Sequence, residues 1–276
     1  MTRDELRRLF EGLSLRGNHL VVHTALSSFG HVDGGARTVC EALVEAIGDG
    51  GTIVMPAFTC VETLSDIATS TMTRSRPVAF HPDLPVSRPI GVVAEAFRHF
   101  PGTLRSSHPT HSFAAWGRQA REVLSTQRDN NPLGPLKKLN VMQGHVLLLG
   151  TVLHAVTAIH LAEERAEVSY LSRRTAVRVN AAGYDERVVL ENVPGCGTAF
   201  IKLEDHLDPT KLKSVPLPRG AARKIPIRYL VNLATQLLER DPRIFICDDS
   251  GCSSCAGKRD AFRGRASQNT GLSTDD

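Results

Sequence analysis

Residues 21–56 carry a short apolar run, a loop holding Gly30, Gly34 and Gly35, an amphipathic stretch and a second short apolar run. Val39, Cys40, Leu43, Val44 and Ile47 recur at the i, i+3/i+4 spacing that lays one apolar stripe along a helix of about three turns, and Gly48 supplies its stop. Leu20 to His23 and Ile53 to Met55 read as the flanking strands. Two strands joined by a helix at so short a range pair in parallel through a right-handed crossover, which commits the chain to an α/β architecture.

The same alternation continues downstream. Ile90, Val93, Ala94 and Phe97 share one face of a helix expected over 90–100, and "HVLLLG" at 145–150 reads as a buried strand leading into a helix through about Ala166. "TAVRVNAAGYDERVVLENV" alternates apolar and polar residues on both sides of a turn, the pattern of an antiparallel hairpin. A helix is expected over 226–239 with Leu230, Leu233, Ala234, Leu237 and Leu238 on its buried side, then a strand at "RIFIC" (243–247). The expected fold is α/β, a mixed and mostly parallel sheet flanked by helices, with an added antiparallel hairpin. One domain over 1–258 is expected. Within it, 57–89 is long for a connection, bears prolines and lacks periodicity, and reads as a lid or pocket wall; 259–276, rich in Gly, Ser, Arg and Asn, reads as a tail without fixed structure.

Composition narrows the function. With 41% hydrophobic residues in 276, the chain can bury a sizeable core. No apolar run reaches the ~18 residues of a membrane span and no charged-then-apolar leader is visible, so no membrane partner and a cytoplasmic location are expected. Thirty-three Lys+Arg against 29 Asp+Glu give a formal charge of +4 in short clusters only, which does not point to nucleic acid. Cys252-x-x-Cys255 with Cys247 upstream could be part of a zinc site, but no second pair is evident nearby and no metal is expected.

The loop from Ala25 to Gly35 leaves the carboxyl end of a strand and enters a helix, so its amides and the positive end of the helix dipole converge where an anion fits. Ser27 and Ser28 add hydroxyls, and Gly30, Gly34 and Gly35 permit positive φ and close approach of the backbone to a ligand. Neither G-x-x-x-x-G-K-[ST] nor G-x-G-x-x-G is present, which disfavours a magnesium-bound triphosphate and a Rossmann dinucleotide and leaves a diphosphate held by amides. An ordinary turn and helix cap is the competing reading of the same residues.

Two further stretches, "SSHPTHSFAAWG" (106–117) and "LLLGTVLHAVTAIHLAEERAEV" (147–168), join this loop in an order that resembles the antibiotic N-acetyltransferase family, best known for the aminoglycoside 3-N-acetyltransferases. The residues that carry the likeness are His23-Thr24, Leu26 to Gly30, Gly34-Gly35, Gly50-Gly51-Thr52, Val54-Met55-Pro56, His108-Pro109, Ser112 to Ala115 and Gly117, then Gly150, His154, Thr157, His160, Ala162 and Glu163. The late "GCSSC" also resembles an ending seen in some members, so the likeness runs to about Cys255. One departure stands out: a Gly-x-Gly-His pattern found in some members would put the histidine at Leu153, and others have Leu-Asp where this chain has Leu153-His154.

The resemblance implies transfer of an acetyl group from acetyl-coenzyme A to the 3-amino group of an aminoglycoside, an antibiotic-resistance activity, by a monomer or homodimer. Under it, His23, Thr24, Ser27, Ser28, Phe29, Gly30, Gly34, Gly35, His108, Ser112 and Phe113 would hold coenzyme A. Transfer from a thioester to an amine needs a proton acceptor and oxyanion donors, and histidine suits the first near neutral pH. His154, placed where a strand gives way to a helix, is the leading base, with Thr157 beside it and His160 paired with Glu163 one turn on. A cationic acceptor calls for carboxylates, and Phe58, Glu62, Asp66, Glu204 and Asp205 are the expected acceptor-side residues. The alternatives are a relative that acetylates a different small amine in biosynthesis and a non-catalytic anion- or nucleotide-binding module; His154 and Glu163 beside Thr157 argue against the latter.

Overall fold

The computed structural model describes residues 1–59, 78–168 and 171–269. The chain opens with helix α1 (Arg3–Gly12), started by a capping box in which Thr2 and Glu5 exchange side-chain and backbone bonds. Strand β1 (His19–Thr24), helix α2 (Gly35–Ile47) and strand β2 (Thr52–Pro56) follow as the periodicity predicts, and Gly48 ends α2 at φ +64°. Helix α3 (Val92–Arg98) lies inside the span expected for it. Then come β3 (Leu104–Arg105), β4 (Phe113–Gly117), α4 (Ala120–Leu124), α5 (Gly134–Val141) and β5 (His145–Leu149).

After β5 the chain does not run straight into one helix. Gly150 takes φ +73° and Val152 and Val156 are extended, so the expected helix is broken into 3₁₀ turns at Leu153–Ala155 and Thr157–Ile159 and a short α6 (His160–Arg165). Strands β6 (Ser172–Val179) and β7 (Asp185–Val193) form the expected hairpin as a separate two-stranded sheet, its turn held by the Asn180 side chain accepting from the amides of Ala182 and Tyr184. Phe80, from the end of the 57–89 segment, pairs with β6 through bonds to Val177 and Val179.

A 3₁₀ stretch (Thr198–His206), strands β8 (Lys213–Pro216) and β9 (Ala221–Pro226), helix α7 (Ile227–Arg240) and helix α8 (Ser253–Asn269) complete the described chain. The run 243–247 is a turn and not the expected strand. Phe245 is fully buried and edge-on to Phe200 at 5.1 Å, so its apolar residues reach the core without sheet pairing. Helix α8, moored by the buried Cys255 and Lys258, runs on through 259–269, ground expected to lack fixed structure.

The main sheet has the order β3-β4-β2-β1-β5-β9-β8. It is mixed and flanked by helices, as expected, but its parallel part is confined to β2-β1-β5, and the four other pairings are antiparallel. The loops joining β3 to β4 and β8 to β9 are too short for a crossover helix, so those strands must turn back on themselves. Alternate residues of the central strands feed two cores. Leu20, Val22, Ile53, Met55 and Leu147 pack under α1, α2 and α3, whereas Val21, Val54, Val146 and Leu148 pack under α4, α5, α6 and α7.

Candidate active site

Because β1, β2 and β5 are parallel neighbours, their carboxyl ends open on the same edge of the sheet, the place where α/β folds gather ligands. A cavity of about 820 Å³ lies there. Its walls come from the end of β1 and the following loop (His23, Thr24, Ala25, Ser27), from Met55 and Pro56 at the end of β2 with Phe58 just beyond, and from Pro89, Ile90 and Ala94 at α3. The broken segment after β5 supplies Gly150, Thr151, Val152, His154, Thr157 and His160, and Gly195 and Gly197 close the far side. Glycine is required at 150: besides its positive φ, a Cβ there would lie 2.1 Å from the Cβ of Ser28.

Three imidazoles reach this cavity in different settings. His154 is exposed at its wall. His160 is 6% exposed, edge-on to Phe200 at 4.7 Å, and its Nδ1 lies 2.6 Å from Oε2 of Glu163. The other oxygen of that fully buried carboxylate accepts from Nζ of Lys258 at 3.0 Å. Burial opposes the charge on Glu163, but the bonds and charges of His160 and Lys258 outweigh it and hold the carboxyl below its ordinary range. An ionised carboxylate bonded to Nδ1 fixes the ring's orientation and leaves Nε2 to work, the arrangement by which a third group braces a catalytic base. His23 also lines the cavity; its Nε2 is buried with no hydrogen-bond partner among the described residues, and burial pushes it down to about 3, so the ring is neutral at physiological pH.

The structure sorts the sequence-derived residues. His23, Thr24, Ser27, Ser28, Phe58, His154, Thr157 and His160 come together around the cavity, with Glu163 directly behind His160. Ser28, however, spends its hydroxyl on the carbonyl of Gly150 at 2.8 Å, and Phe29 is a core residue, 1% exposed. Gly30, Gly34 and Gly35 have positive φ as the loop reading requires, but they do not line the cavity; Gly34 caps α2 with no side-chain bond to its first-turn amides.

The β4 motif sits behind the cavity wall and not on it. Ser112 is fully buried, donating to the carbonyl of Ala57 and accepting from Arg105, and Phe113 packs edge-on to Phe58 at 5.6 Å. His108 accepts from the amide of His111 and faces a second depression beside Arg128 and Arg178. On the acceptor side, Glu204 is held by a two-bond pair with Arg223, both bonds 2.7 Å, and neither it nor Asp205 borders the cavity. Glu62 and Asp66 lie outside the described residues.

Sequence reasoning missed Lys258, Gly195 and Gly197. A signal for Lys258 existed: it lies three residues after Cys255, the spacing that places both on one helix face.

The family model for aminoglycoside 3-N-acetyltransferases matches residues 21–239. The chain is 34% identical over 240 residues to aminoglycoside N(3)-acetyltransferase IV of a Salmonella species, covering 85% of this chain and 86% of that one. It is 35% identical over 190 residues to the prophage-derived aminoglycoside N(3')-acetyltransferase-like protein YokD of Bacillus subtilis, covering 63% and 69%. Among solved structures, the apoenzyme of aminoglycoside acetyltransferase AAC(3)-IVa superposes with a TM-score of 0.77 at 30% identity, over 94% of this chain and 96% of that one, and a mutant of it has been crystallised in complex with a gentamicin.

Proposed function

The chain belongs to the aminoglycoside 3-N-acetyltransferase family, and from that premise we propose that the cavity at the ends of β1, β2 and β5 is where acetyl transfer takes place, with His160 as the general base. The reaction is acetyl transfer from acetyl-coenzyme A to the 3-amino group of an aminoglycoside, which links the protein to antibiotic resistance. The observation that carries the assignment of the base is the buried chain Lys258–Glu163–His160 ending at the cavity wall.

The amine nitrogen attacks the thioester carbonyl while His160 Nε2 takes the proton that the nitrogen gives up. The tetrahedral oxyanion gains a hydrogen bond from the hydroxyl of Thr157. Collapse breaks the carbon–sulfur bond, coenzyme A leaves as the thiolate and receives a proton, and the product is the amide. Glu163 stays ionised and stabilises the imidazolium formed on the way. His154, exposed at the mouth and with no bracing carboxylate among the described residues, is the second candidate for the base.

The loop 25–35 and the first turn of α2 hold the coenzyme diphosphate through backbone amides and the Ser27 hydroxyl. No carboxylate is found among the described residues lining the cavity, so Glu62 and Asp66 are our proposed partners for the acceptor's ammonium groups. We place the enzyme in the cytoplasm, where acetyl-coenzyme A is made and used; among the described residues no helix is long and apolar enough to cross a membrane. The deciding experiment follows free thiol release from acetyl-coenzyme A across a panel of 2-deoxystreptamine antibiotics and simple amines, with the product's acetylated nitrogen located by NMR. Turnover confined to simple amines would replace the aminoglycoside reading with the biosynthetic one.

A further inference from the structure

Three separate segments bring sulfur to one point. Cys196 comes from the loop after β7, Cys247 from the chain that follows the buried Phe245, and Cys252 and Cys255 from the start of α8. Their four Sγ atoms all lie within 4.8 Å of one another. We propose that Cys196, Cys247, Cys252 and Cys255 bind a single Zn²⁺ ion as a structural tetrathiolate.

The geometry needs little adjustment. A tetrahedral zinc with Zn–S bonds of about 2.3 Å sets its sulfurs about 3.8 Å apart. The donor set is complete without water, and Cys247 and Cys255 are buried, the closed coordination that distinguishes structural zinc from catalytic zinc. Soft sulfur donors in tetrahedral array select zinc or iron over hard cations. The surroundings suit charged sulfur: the amide of Thr198 donates to Cys196 Sγ at 3.4 Å, and Cys252 and Cys255 stand at the positive end of the α8 dipole. On binding, the thiols release their protons to solvent, with no change of oxidation state.

The ion would tie down the segment that runs from Cys247 to Cys252. Between Cys247 and Cys252 the sequence is Asp-Asp-Ser-Gly, and Arg259 binds the carbonyls of Cys247 and Asp249. The cluster sits one turn before Lys258 on α8, so the metal would fix the helix that delivers Lys258 to Glu163. It would act on the site as a positioning element, away from the reacting atoms.

The test starts from the wild-type protein, purified without chelator or added metal, with elemental analysis alongside thiol titration under denaturing conditions. One zinc per chain is expected, together with thiols that react only after the ion is displaced and taken up by a chromogenic chelator. Replacement by Co²⁺ should give the ligand-field and charge-transfer bands of a tetrahedral tetrathiolate. Cys252→Ser and Cys196→Ser should lose the zinc and lower the melting temperature, whereas Cys40→Ser, at a buried position of α2 away from the cluster, should keep it. Wild-type protein without zinc, with the four thiols either freely reactive or paired as disulfides, overturns the proposal, as does iron in place of zinc. Because these readouts are on wild-type protein, they stand even if a serine variant does not fold.

Discussion

Glu163 and Lys258 are joined by a 3.0 Å ion pair in which neither side chain is more than 2% exposed, although 95 residues separate them in the chain. A buried pair of this kind is costly to break, because removing one member strands the other charge away from water. Lys258→Met is expected to destabilise the fold by about 3–5 kcal/mol in chemical denaturation. The pH dependence has a definite sign. Glu163 titrates below its unfolded value, so its contribution is complete above about 4.5 and is lost as pH falls through the depressed folded value. Taking away Lys258 raises that folded value and moves the loss to higher pH; a double variant with Glu163→Gln should recover part of the stability.

His160→Ala should leave coenzyme A binding intact and lower kcat by about 10²- to 10⁴-fold, the usual contribution of a positioned acid–base group. His154→Ala, measured in parallel, should lose less. A reversed order of the two effects would move the base to His154 and reduce His160 to a wall of the cavity.

Gly35 begins α2 at φ +64° with nothing within 4 Å of where its Cβ would be. Gly35→Val meets no steric obstacle from the protein, yet it disfavours the backbone conformation that presents the first-turn amides. We expect weaker coenzyme A binding by calorimetry with an unchanged circular dichroism spectrum. Unaltered affinity would remove this helix start from the coenzyme site.

Acid should destabilise the fold well before carboxylates titrate. Burial pushes His23 down to about 3, and burial with the nearby Arg178 charge pushes His108 down to about 4, whereas an unfolded histidine titrates near ~6.5. Below ~6.5 the unfolded chain therefore binds more protons, and stability falls as pH falls, by up to ~1.4 kcal/mol per pH unit for each of the two, until the folded values are reached. Denaturation midpoints at pH 7, 6 and 5 read this directly, and His108→Asn should flatten the slope.

Glu204 is already satisfied by both nitrogens of the Arg223 fork. Glu204→Gln should leave the KM for a cationic acceptor unchanged and cost stability instead, since Arg223 is 16% exposed and loses its counter-charge. A raised acceptor KM at constant acetyl-coenzyme A KM would return Glu204 to the acceptor site.

What the sequence determined by itself was local. The stripe Val39 to Ile47, the runs ending in His23 and Met55, the hairpin alternation and the His160–Glu163 spacing are each written in neighbouring residues, because helix and strand periodicity acts over a few positions. The tertiary structure decided which of those side chains meet. Ser28 and Ser112 look like ligand donors in sequence, and only the packed fold shows their hydroxyls committed to the carbonyls of Gly150 and Ala57. Lys258 reaches Glu163, and Cys196 completes the group begun by Cys247, Cys252 and Cys255, because α8 docks against the core. Such long-range meetings depend on how whole elements bury their apolar faces, a property of the summed packing that no short window of residues contains.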